Sequence, residues 1–381
     1  MDVENLKTSE ERLELAGKLA EKFKERSQYN PCSNGHFPFE NIAELKETGY
    51  TSWTVPKRYG GKDITLFELV RLQEKIAEGD GPTALSIGWH LGIVKNLDEK
   101  KLWKEELYGK ICEEIMKGSL LNGAATERAT GSPTRGGRPE TIARKTDKGW
   151  QLNGRKTYTT MSPVLDYFIV SASVEPGCEI GNFLVPRAAK GVSIEETWDC
   201  IAMSETGSHD LILEDVIIPE EYYVETFTPG KKGANGWLLH IPACYLGIAE
   251  AAKDYAVNFA KAYRPNSIEG TIIELPAVRK KIGEMELELM RSRYFLYAVA
   301  KQWDDSEEKD RKKMAPQLGA AKMTVTNAAI NVLDLAMRVV GAKSLSASNP
   351  LQKYYRDVRA GLHNPPMDDM TIELLAKRAE T

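Results

Sequence analysis

Cysteine and histidine are both scarce in this sequence, with five of each among 381 residues. The cysteines form no Cys-x-x-Cys motif and do not pair with histidines; they are Cys32, Cys112, Cys178, Cys200 and Cys244. This scatter argues against a zinc site and against a disulfide framework. It predicts a protein without a bound metal that resides in a reducing cytoplasm.

Long apolar runs and an excess of one charge are also lacking. No run approaches the roughly 20 residues that a membrane-spanning helix needs. The acidic, amphipathic N-terminus has neither the apolar core of a signal peptide nor the Arg-rich make-up of a transit sequence. A formal net charge of −4 gives no reason to expect nucleic acid or an anionic membrane as a partner. We therefore expect a cytoplasmic protein that has no nucleic-acid partner and no membrane span.

Length and hydrophobic pattern divide the chain into three parts, since 381 residues are too many for one simple core. Residues 1–120 are predicted to be helical, with Thr65 and Glu68 as a capping box and Thr83 as the next helix cap. Residues 121–228 contain short strands that indicate a small barrel or sandwich. These strands are Thr141–Lys145, Gly149–Leu152, Tyr167–Ser173, Asn182–Pro186, Val192–Glu196 and Leu211–Ile218. Residues 229–381 are predicted to form a helical bundle from Leu238–Tyr263, Ala277–Trp303, 314–341 and Met367–Ala379.

The stretch from Leu121 to Thr160 is the richest in ligand-binding signals. Its first half places hydroxyl side chains and glycines close together, which leaves backbone N–H groups accessible to a ligand. Its second half contains Asn153-Gly154, a strong hairpin-turn signal, and then Tyr158 beside threonines. The pattern is compatible with a ligand site and equally with an ordinary loop that precedes a β-hairpin.

This stretch resembles the flavin-binding signature of the acyl-CoA dehydrogenase family. The resemblance is carried by Thr126-Glu127-Arg128-Ala129-Thr130-Gly131-Ser132 and by Tyr158-Thr159-Thr160. It implies that Thr126 and Thr160 hydrogen-bond the isoalloxazine ring, that Tyr158 packs on the flavin, and that Ser132 lies near the thioester arm. The sequence departs from the family pattern at Arg128 and Pro133, which puts the loop geometry near the substrate in doubt.

Further motifs extend the resemblance over nearly the whole chain. Arg264 matches a family segment that contacts the flavin diphosphate of a neighbouring subunit, although the Phe that usually follows the arginine is absent, and the turn at Gly341 matches the segment that holds the adenine side. Ser208 and His209 lie in a polar stretch that is either a structural loop or the lining of the acyl-CoA mouth. The resemblance implies an α+β fold with an N-terminal helical domain, a middle β-barrel domain and a C-terminal four-helix bundle.

The same resemblance implies the ligands and partners. The cofactor is expected to be FAD, with FMN as the alternative. The substrate is expected to be an acyl-CoA or another small molecule, and the redox partner an electron-transfer flavoprotein or a flavin reductase. The chain is expected to form a homodimer or homotetramer through its C-terminal helices.

The family's catalytic carboxylate is not found where the motif predicts it. The usual Glu position falls at Asn364–Pro365, and the position used by a family subset falls at Trp237. Replacement candidates are His363, Asp368 and Asp369, although the two aspartates are also typical first-turn residues of a helix. Three functions therefore remain open: a dehydrogenase that oxidises an acyl-CoA thioester with a relocated base, a two-component flavin monooxygenase on the same fold, and a non-catalytic binding protein.

Overall fold

Helices form the N-terminal part of the computed structural model, which describes residues 6–29, 36–133, 136–228, 230 and 233–380. They are α1 (Ser9–Tyr29), α2 (Phe39–Glu47), α3 (Leu66–Gly79), α4 (Gly81–Lys100) and α5 (Glu105–Met116). Thr65 caps α3 as predicted, but the Glu68 carboxylate binds Arg12 at 2.5 Å rather than closing a capping box. The prediction of Thr83 as a cap is wrong, because Asp80 caps α4 and accepts the Thr83 N–H.

The middle part is one eight-stranded sheet. Its strands are β1 (Leu121–Ala124), β2 (Ile142–Thr146), β3 (Gly149–Thr159), β4 (Tyr167–Glu175), β5 (Ile180–Pro186), β6 (Val192–Glu195), β7 (His209–Ile218) and β8 (Tyr223–Phe227). The strand order is β6-β7-β3-β2-β4-β5-β8, and β1 pairs in parallel with β4. Within the described residues, β1, β6 and β8 each pair with one neighbouring strand only, so hydrogen bonds do not close this central sheet into a ring.

The hairpin predicted at Asn153-Gly154 is wrong. These residues lie inside β3, at a register shift against β7, and the chain turns instead between Thr146 and Gly149. A Cβ added at Gly154 would meet the Thr141 side chain at 2.4 Å. This glycine therefore permits a close approach of neighbouring strands at a bulge, which is the other common meaning of a glycine within a strand.

The C-terminal part is a helical bundle, and the predicted fold class is confirmed. Its helices are α6 (His240–Ala262), α7 (Pro276–Asp305), α8 (Glu308–Arg311), α9 (Ala315–Val340), α10 (Pro350–Arg359) and α11 (Asp368–Glu380). Helices α6, α7 and α9 pack on one another, α11 packs on α9, and α3 of the N-terminal part packs on α6. The sequence pattern missed α10 and the strands β1 and β8, all of which are short.

One helical stretch of the described residues, Ala315–Leu345, meets the length and hydropathy criteria for crossing a membrane. This differs from the sequence prediction that no run comes near such a length. Half of the apolar window is buried within the molecule, where α9 packs against α6 and α7. Its apolar character is therefore accounted for by its position at the centre of the bundle.

Candidate functional site

The loop after β1 is fixed by a buried carboxylate, Glu127, which is 4% exposed. Its oxygens accept hydrogen bonds from Lys156 Nζ at 2.6 Å, from the N–H and hydroxyl of Thr141 at 3.0 and 2.6 Å, from the Glu140 N–H at 2.6 Å and from the Thr130 hydroxyl at 2.8 Å. Burial raises the pKa of Glu127, but the Lys156 charge and these hydrogen bonds outweigh it and lower the pKa to about 2. Glu127 is therefore ionised at neutral pH and ties the loop to β3.

The segment Tyr158–Thr160 is held against this loop by the main chain. The Thr157 N–H, just before the segment, donates to the Thr126 carbonyl at 2.9 Å. Tyr158 has a positive φ of 57° and its side chain is 58% exposed, whereas the neighbouring Thr159 side chain is fully buried. Tyr158 therefore faces outward, and the half-buried Thr160 directly follows the end of β3.

A second polar segment completes this surface. The Thr160 hydroxyl lies 2.9 Å from the Ser208 hydroxyl, and the His209 Nδ1 accepts the Trp198 N–H at 3.1 Å. The Trp198 ring meets the Tyr158 ring edge-on, with 5.9 Å between centroids. Partial burial lowers the pKa of His209, so its imidazole is neutral at pH 7. Aromatic and hydroxyl groups thus converge around Thr160.

The glycine at the loop tip also fits a flat or charged ligand. Gly131 has a φ of 69°, and no described atom lies within 4 Å of the position that a Cβ would take. The backbone at this point is therefore open to close approach by a ligand, and half-buried Ser132 follows directly.

A second surface lies where α9 ends. An open cavity of about 490 Å³ is lined by Asp334, Met337, Arg338, Gly341, Ala342, Ser344, Leu345, Gln352 and Tyr355. Gly341 has a φ of 69° and ψ of −152°, a conformation that favours glycine, and its Cβ side is open. Lys343 Nζ lies 4.0 Å from the ring centroid of Tyr263, the residue before the exposed Arg264. This contact brings the ends of α6 and α9 together.

Near the C-terminus, the chain makes a turn around Asn364. Its side-chain oxygen accepts the hydroxyl hydrogen of Tyr245, a fully buried residue of α6. His363 is exposed, and Pro365 and Pro366 follow. Asp368 begins α11 and accepts hydrogen bonds from Asn327 at 2.7 Å and Lys322 at 3.4 Å, whereas Asp369 is exposed.

The three parts of the molecule meet at Lys353, on α10. Its ammonium lies 2.6 Å from Glu205 in the middle part, 3.4 Å from Asp80 in the N-terminal part and 3.6 Å from Asp357 in its own helix. Asp357 also accepts the Met203 N–H at 2.7 Å. Burial raises the pKa of Asp357, and Lys353 acts against that rise. This cluster fixes the Met203–Ser208 segment relative to both helical parts.

Three family models match this chain in order. They are the N-terminal domain of acyl-CoA dehydrogenase over residues 10–99, its middle domain over 122–216 and its C-terminal domain over 239–378. YdbM of Bacillus subtilis, a protein provisionally named as an acyl-CoA dehydrogenase, is 52% identical over 369 residues, which cover 96% of each chain.

The chain belongs to the acyl-CoA dehydrogenase family. A more distant relative, L-evernosamine nitrososynthase of a Micromonospora species, is 27% identical over 347 residues, covering 86% of this chain and 80% of that protein. Butyryl-CoA dehydrogenase of Megasphaera elsdenii shares the fold with a TM-score of 0.86 at 21% identity, over 100% of this chain and 99% of that one. The Paenibacillus protein TdsC, solved with FMN and indole, shares it with a TM-score of 0.84 at 20% identity and 95% coverage of both chains.

These relations identify the chain as a flavoenzyme of this family and confirm the resemblance on which the sequence prediction was based. The structure links Thr126 to the residue before Tyr158, Thr160 to Ser208, and Tyr158 to His209 through Trp198. Gly131 and Ser132 follow Thr126 in the same loop. Thr159 belongs to the same strand but points into the interior. Arg264 and Gly341 lie on the second surface, and His363, Asp368 and Asp369 lie around the start of α11.

Sequence reasoning missed several residues that shape the site. The sequence pattern assigned no role to Glu127, although this residue lies in the flavin-binding motif. It also gave no indication that Lys156, Asn122, Thr206 and Trp198 belong to the site. Apart from Thr130, the partners of Glu127 lie 13 to 29 residues further along the chain, so no local spacing reveals them. The available signal was chemical: a carboxylate in one half of the Leu121–Thr160 stretch and a lysine beside the threonines of the other half.

Proposed function

We propose that this protein binds a flavin between the sheet and the C-terminal bundle, and that it uses the flavin to oxidise an acyl-CoA thioester at the α,β carbons. The observation that carries the flavin site is the pairing of the Thr126 loop with the Tyr158–Thr160 segment through the Thr157 N–H. In this assignment Thr126 and Thr160 hydrogen-bond the ring, Tyr158 packs on it, and the open backbone at Gly131 with Ser132 faces the ligand. A flavin bound here would accept the hydride in the oxidation.

FAD is the proposed form of the cofactor. The cavity at the end of α9 offers room for an adenylate half, with the open backbone of Gly341 and the exposed Arg338 on its wall. Arg264 lies beside Tyr263 at the same surface, where a guanidinium can bind phosphate. FMN lacks this half, so Arg338→Ala should weaken the binding of FAD and leave that of FMN unchanged.

The proposed oxidation requires a base for the α-proton, and its position must differ from the family pattern. The usual position holds Asn364 and Pro365, and Asn364 is engaged by Tyr245. The second position holds Trp237, whose ring stacks on His240 at 5.8 Å and meets Trp89 edge-on at 5.7 Å. We therefore expect slow or absent oxidation of straight-chain acyl-CoAs, with residual activity that depends on Asp368 or Asp369.

A flavin monooxygenase supplied by a separate reductase is the second candidate. It is supported by the amide and the proline at the position of the base, since this chemistry needs no α-proton abstraction. Ser208 and His209 would then line the pocket for a substrate other than a thioester. His363, exposed beside Asn364, is the matching candidate for a contact with that substrate.

One pair of assays separates the candidates. The purified protein with FAD is titrated without oxygen with acyl-CoAs of several chain lengths, and the bleaching of the flavin absorbance is followed. In parallel, a flavin reductase with NADH supplies reduced FMN or FAD in air, and oxygen consumption is measured with candidate substrates. Bleaching supports the dehydrogenase, and substrate-dependent oxygen uptake supports the monooxygenase. Flavin binding without either reaction would contradict both assignments.

We also propose a homodimer or homotetramer assembled through the C-terminal helices. Leu287, Met290 and Tyr294 are spaced to share one face of α7, and they are 45%, 53% and 74% exposed. An apolar stripe of this kind marks an interaction surface. Met290→Lys with Tyr294→Lys should yield a monomer in sedimentation at micromolar concentration, whereas the exposed-site control Lys309→Glu should not. A wild-type monomer that retains flavin would rule this assembly out.

A further inference from the structure

Three carboxylates surround one ammonium where the three parts of the molecule meet, and we call this set the junction cluster. Lys353 Nζ lies 2.6 Å from Glu205, 3.4 Å from Asp80 and 3.6 Å from Asp357. Burial lowers the pKa of Lys353, but the carboxylates around it outweigh the burial and raise this pKa, so the ammonium is charged at neutral pH. If Asp80 and Asp357 were both ionised, the cluster would hold more buried negative charge than Lys353 balances, which is unfavourable.

Two carboxylate oxygens of the junction cluster lack hydrogen bonds. Asp80 and Asp357 are 2% and 3% exposed, and neither Asp80 Oδ1 nor Asp357 Oδ2 has a hydrogen-bond partner among the described residues. A buried acceptor without a partner is costly, whereas a protonated carboxyl group becomes a hydrogen-bond donor. A single proton on one of these aspartates would therefore remove one buried charge and supply a donor within the cluster.

The local backbone decides which aspartate takes the proton. Asp80 caps the N-terminus of α4, where its Oδ2 accepts the N–H and the hydroxyl of Thr83 at 2.9 and 2.6 Å and the helix dipole favours a negative charge. Asp357 lies in the last turn of α10, where the dipole disfavours a carboxylate. Among the described residues it accepts one hydrogen bond, from the Met203 N–H at 2.7 Å. Burial raises the pKa of Asp357 and Lys353 offsets only part of the rise, so Asp357 takes the proton.

The other groups that face Asp357 do not supply a second balancing charge. Arg356 precedes it on α10, but this side chain is exposed and its charge is screened by solvent. The remaining titratable neighbours are neutral at pH 7 because burial raises the pKa of each: Cys244, Tyr245 and Tyr354.

We infer that the junction cluster is a pH-sensitive switch in which Asp357 holds a proton at neutral pH, and in which release of this proton at higher pH loosens the Met203–Ser208 segment from both helical parts. Two contacts tie this segment to the cluster: the Met203 N–H donates to Asp357, and Glu205 binds Lys353. Release of the proton adds a buried negative charge to the same cluster, and the repulsion between carboxylates weakens the contacts that join the three parts.

Infrared spectroscopy tests for the proton directly. A protonated carboxyl group has a C=O stretching band that a carboxylate lacks, and isotopic labelling of aspartate at its carboxyl carbon separates this band from those of Glu78 and Glu225, whose pKa burial also raises. At pH 7 the wild type should show a labelled band that disappears at higher pH and is missing from Asp357→Asn. Absence of the band from the wild type at pH 7, or its persistence in Asp357→Asn, would overturn the inference.

Urea unfolding measures the same proton through stability. The ordinary pKa is 3.8 and the folded value is raised, so the stabilisation is complete below pH 3.8 and is lost as the pH rises through the folded pKa. The folding constant of the wild type, divided by that of Asp357→Asn, should fall about tenfold per pH unit between pH 5 and pH 7. The matched control is Asp210→Asn, because Arg155 at 2.7 Å outweighs the burial of Asp210 and lowers its pKa. The ratio should stay constant for the control, and a constant ratio for Asp357→Asn would contradict the switch.

Hydrogen exchange of the Met203–Ser208 segment tests the conformational effect. After correction for the intrinsic rise of exchange with pH, the wild type should lose protection in this segment at the pH where the carboxyl band disappears. Asp357→Asn should keep its protection, since an amide has no such proton to release, and β4 should stay protected in both proteins. Unchanged exchange of the segment while the band disappears would overturn the switch. If Asp357→Asn does not fold, the band and the exchange of the wild type decide the matter.

Discussion

The loop around Glu127 and the turn around Asn364 both lie at positions of family motifs, but the loop retains more of its motif than the turn does. The loop keeps most of the family pattern and is held by a buried ion pair and four further hydrogen bonds. At the turn, Asn364 and Pro365 stand where the family has its carboxylate, and among the described residues the Asn364 side chain accepts one hydrogen bond, from Tyr245. The residues of the proposed flavin site and those of the proposed substrate site can therefore change independently on one fold.

The largest effect is expected from removing the Glu127 charge. Glu127→Ala leaves the Lys156 ammonium buried without a partner, which costs about 3–5 kcal/mol of unfolding free energy. Urea unfolding measures this loss, and flavin affinity should fall with it. The exposed pair Arg144–Glu175 in the same sheet is the control, since Glu175→Gln should cost less than about 1 kcal/mol.

A double variant sharpens this test. Glu127→Ala combined with Lys156→Met removes both buried charges, so much of the lost stability should return. If the double variant is no more stable than Glu127→Ala, the cost lies in the loop hydrogen bonds rather than in the unpaired ammonium. The proposed difference, in which an ion pair holds the loop and a weaker contact holds the turn, would then be wrong.

Low pH should weaken the ion pair between Glu127 and Lys156. The pKa of Glu127 is about 2 in the folded protein against an ordinary value of 4.5. Below pH 4.5 the unfolded chain takes up this proton first, so the stabilisation is complete above that pH and is lost as the pH falls toward 2. Between pH 5 and pH 3 the wild type should lose about 2 kcal/mol more unfolding free energy than Glu127→Gln. Equal losses, measured by urea unfolding, would assign the acid sensitivity to other groups.

The comparison of the loop with the turn also shows which features of the structure could be predicted from the sequence. Several features set by neighbours in the chain were predicted correctly, such as the Thr65 cap and most strands, although Asp80 rather than Thr83 caps α4. Features set by distant contacts were not: Gly154 lies in a bulge because Thr141 packs against it, and the Glu127–Lys156 pair joins residues 29 positions apart. The family resemblance supplied the residues around Thr160, but it could not show that Thr159 points inward or that Asn364 is bound to Tyr245.

A smaller effect is expected at the two adjacent threonines. Thr160→Val removes the ring hydrogen bond and should weaken flavin binding by about 1 kcal/mol, roughly fivefold. Thr159→Val is the matched control, because the Thr159 hydroxyl is fully buried and has no hydrogen-bond partner among the described residues. It should leave flavin affinity within about twofold, since a buried unpaired hydroxyl contributes little. Flavin titration by fluorescence quenching measures the affinity of both variants. Equal losses of affinity would contradict the different roles assigned to the buried Thr159 and the half-buried Thr160.

The smallest effect on stability is expected from substituting Asp369. This substitution tests the role of the residues that follow the turn around Asn364. Asp369 is exposed in the first turn of α11, where a carboxylate favours the helix by about 0.3–1 kcal/mol, so Asp369→Asn should be nearly as stable as the wild type. Asp368 is tied to Asn327 and Lys322, so its loss costs more. Any anaerobic bleaching by acyl-CoAs that the wild type shows should drop sharply in one of the two variants, because these are the carboxylates nearest in sequence to the lost base. Bleaching that stays fast in Asp368→Asn and in Asp369→Asn would mean that the proton goes to a group elsewhere. In that case the base lies on another part of the chain, and the residues around Asn364 take no part in proton abstraction.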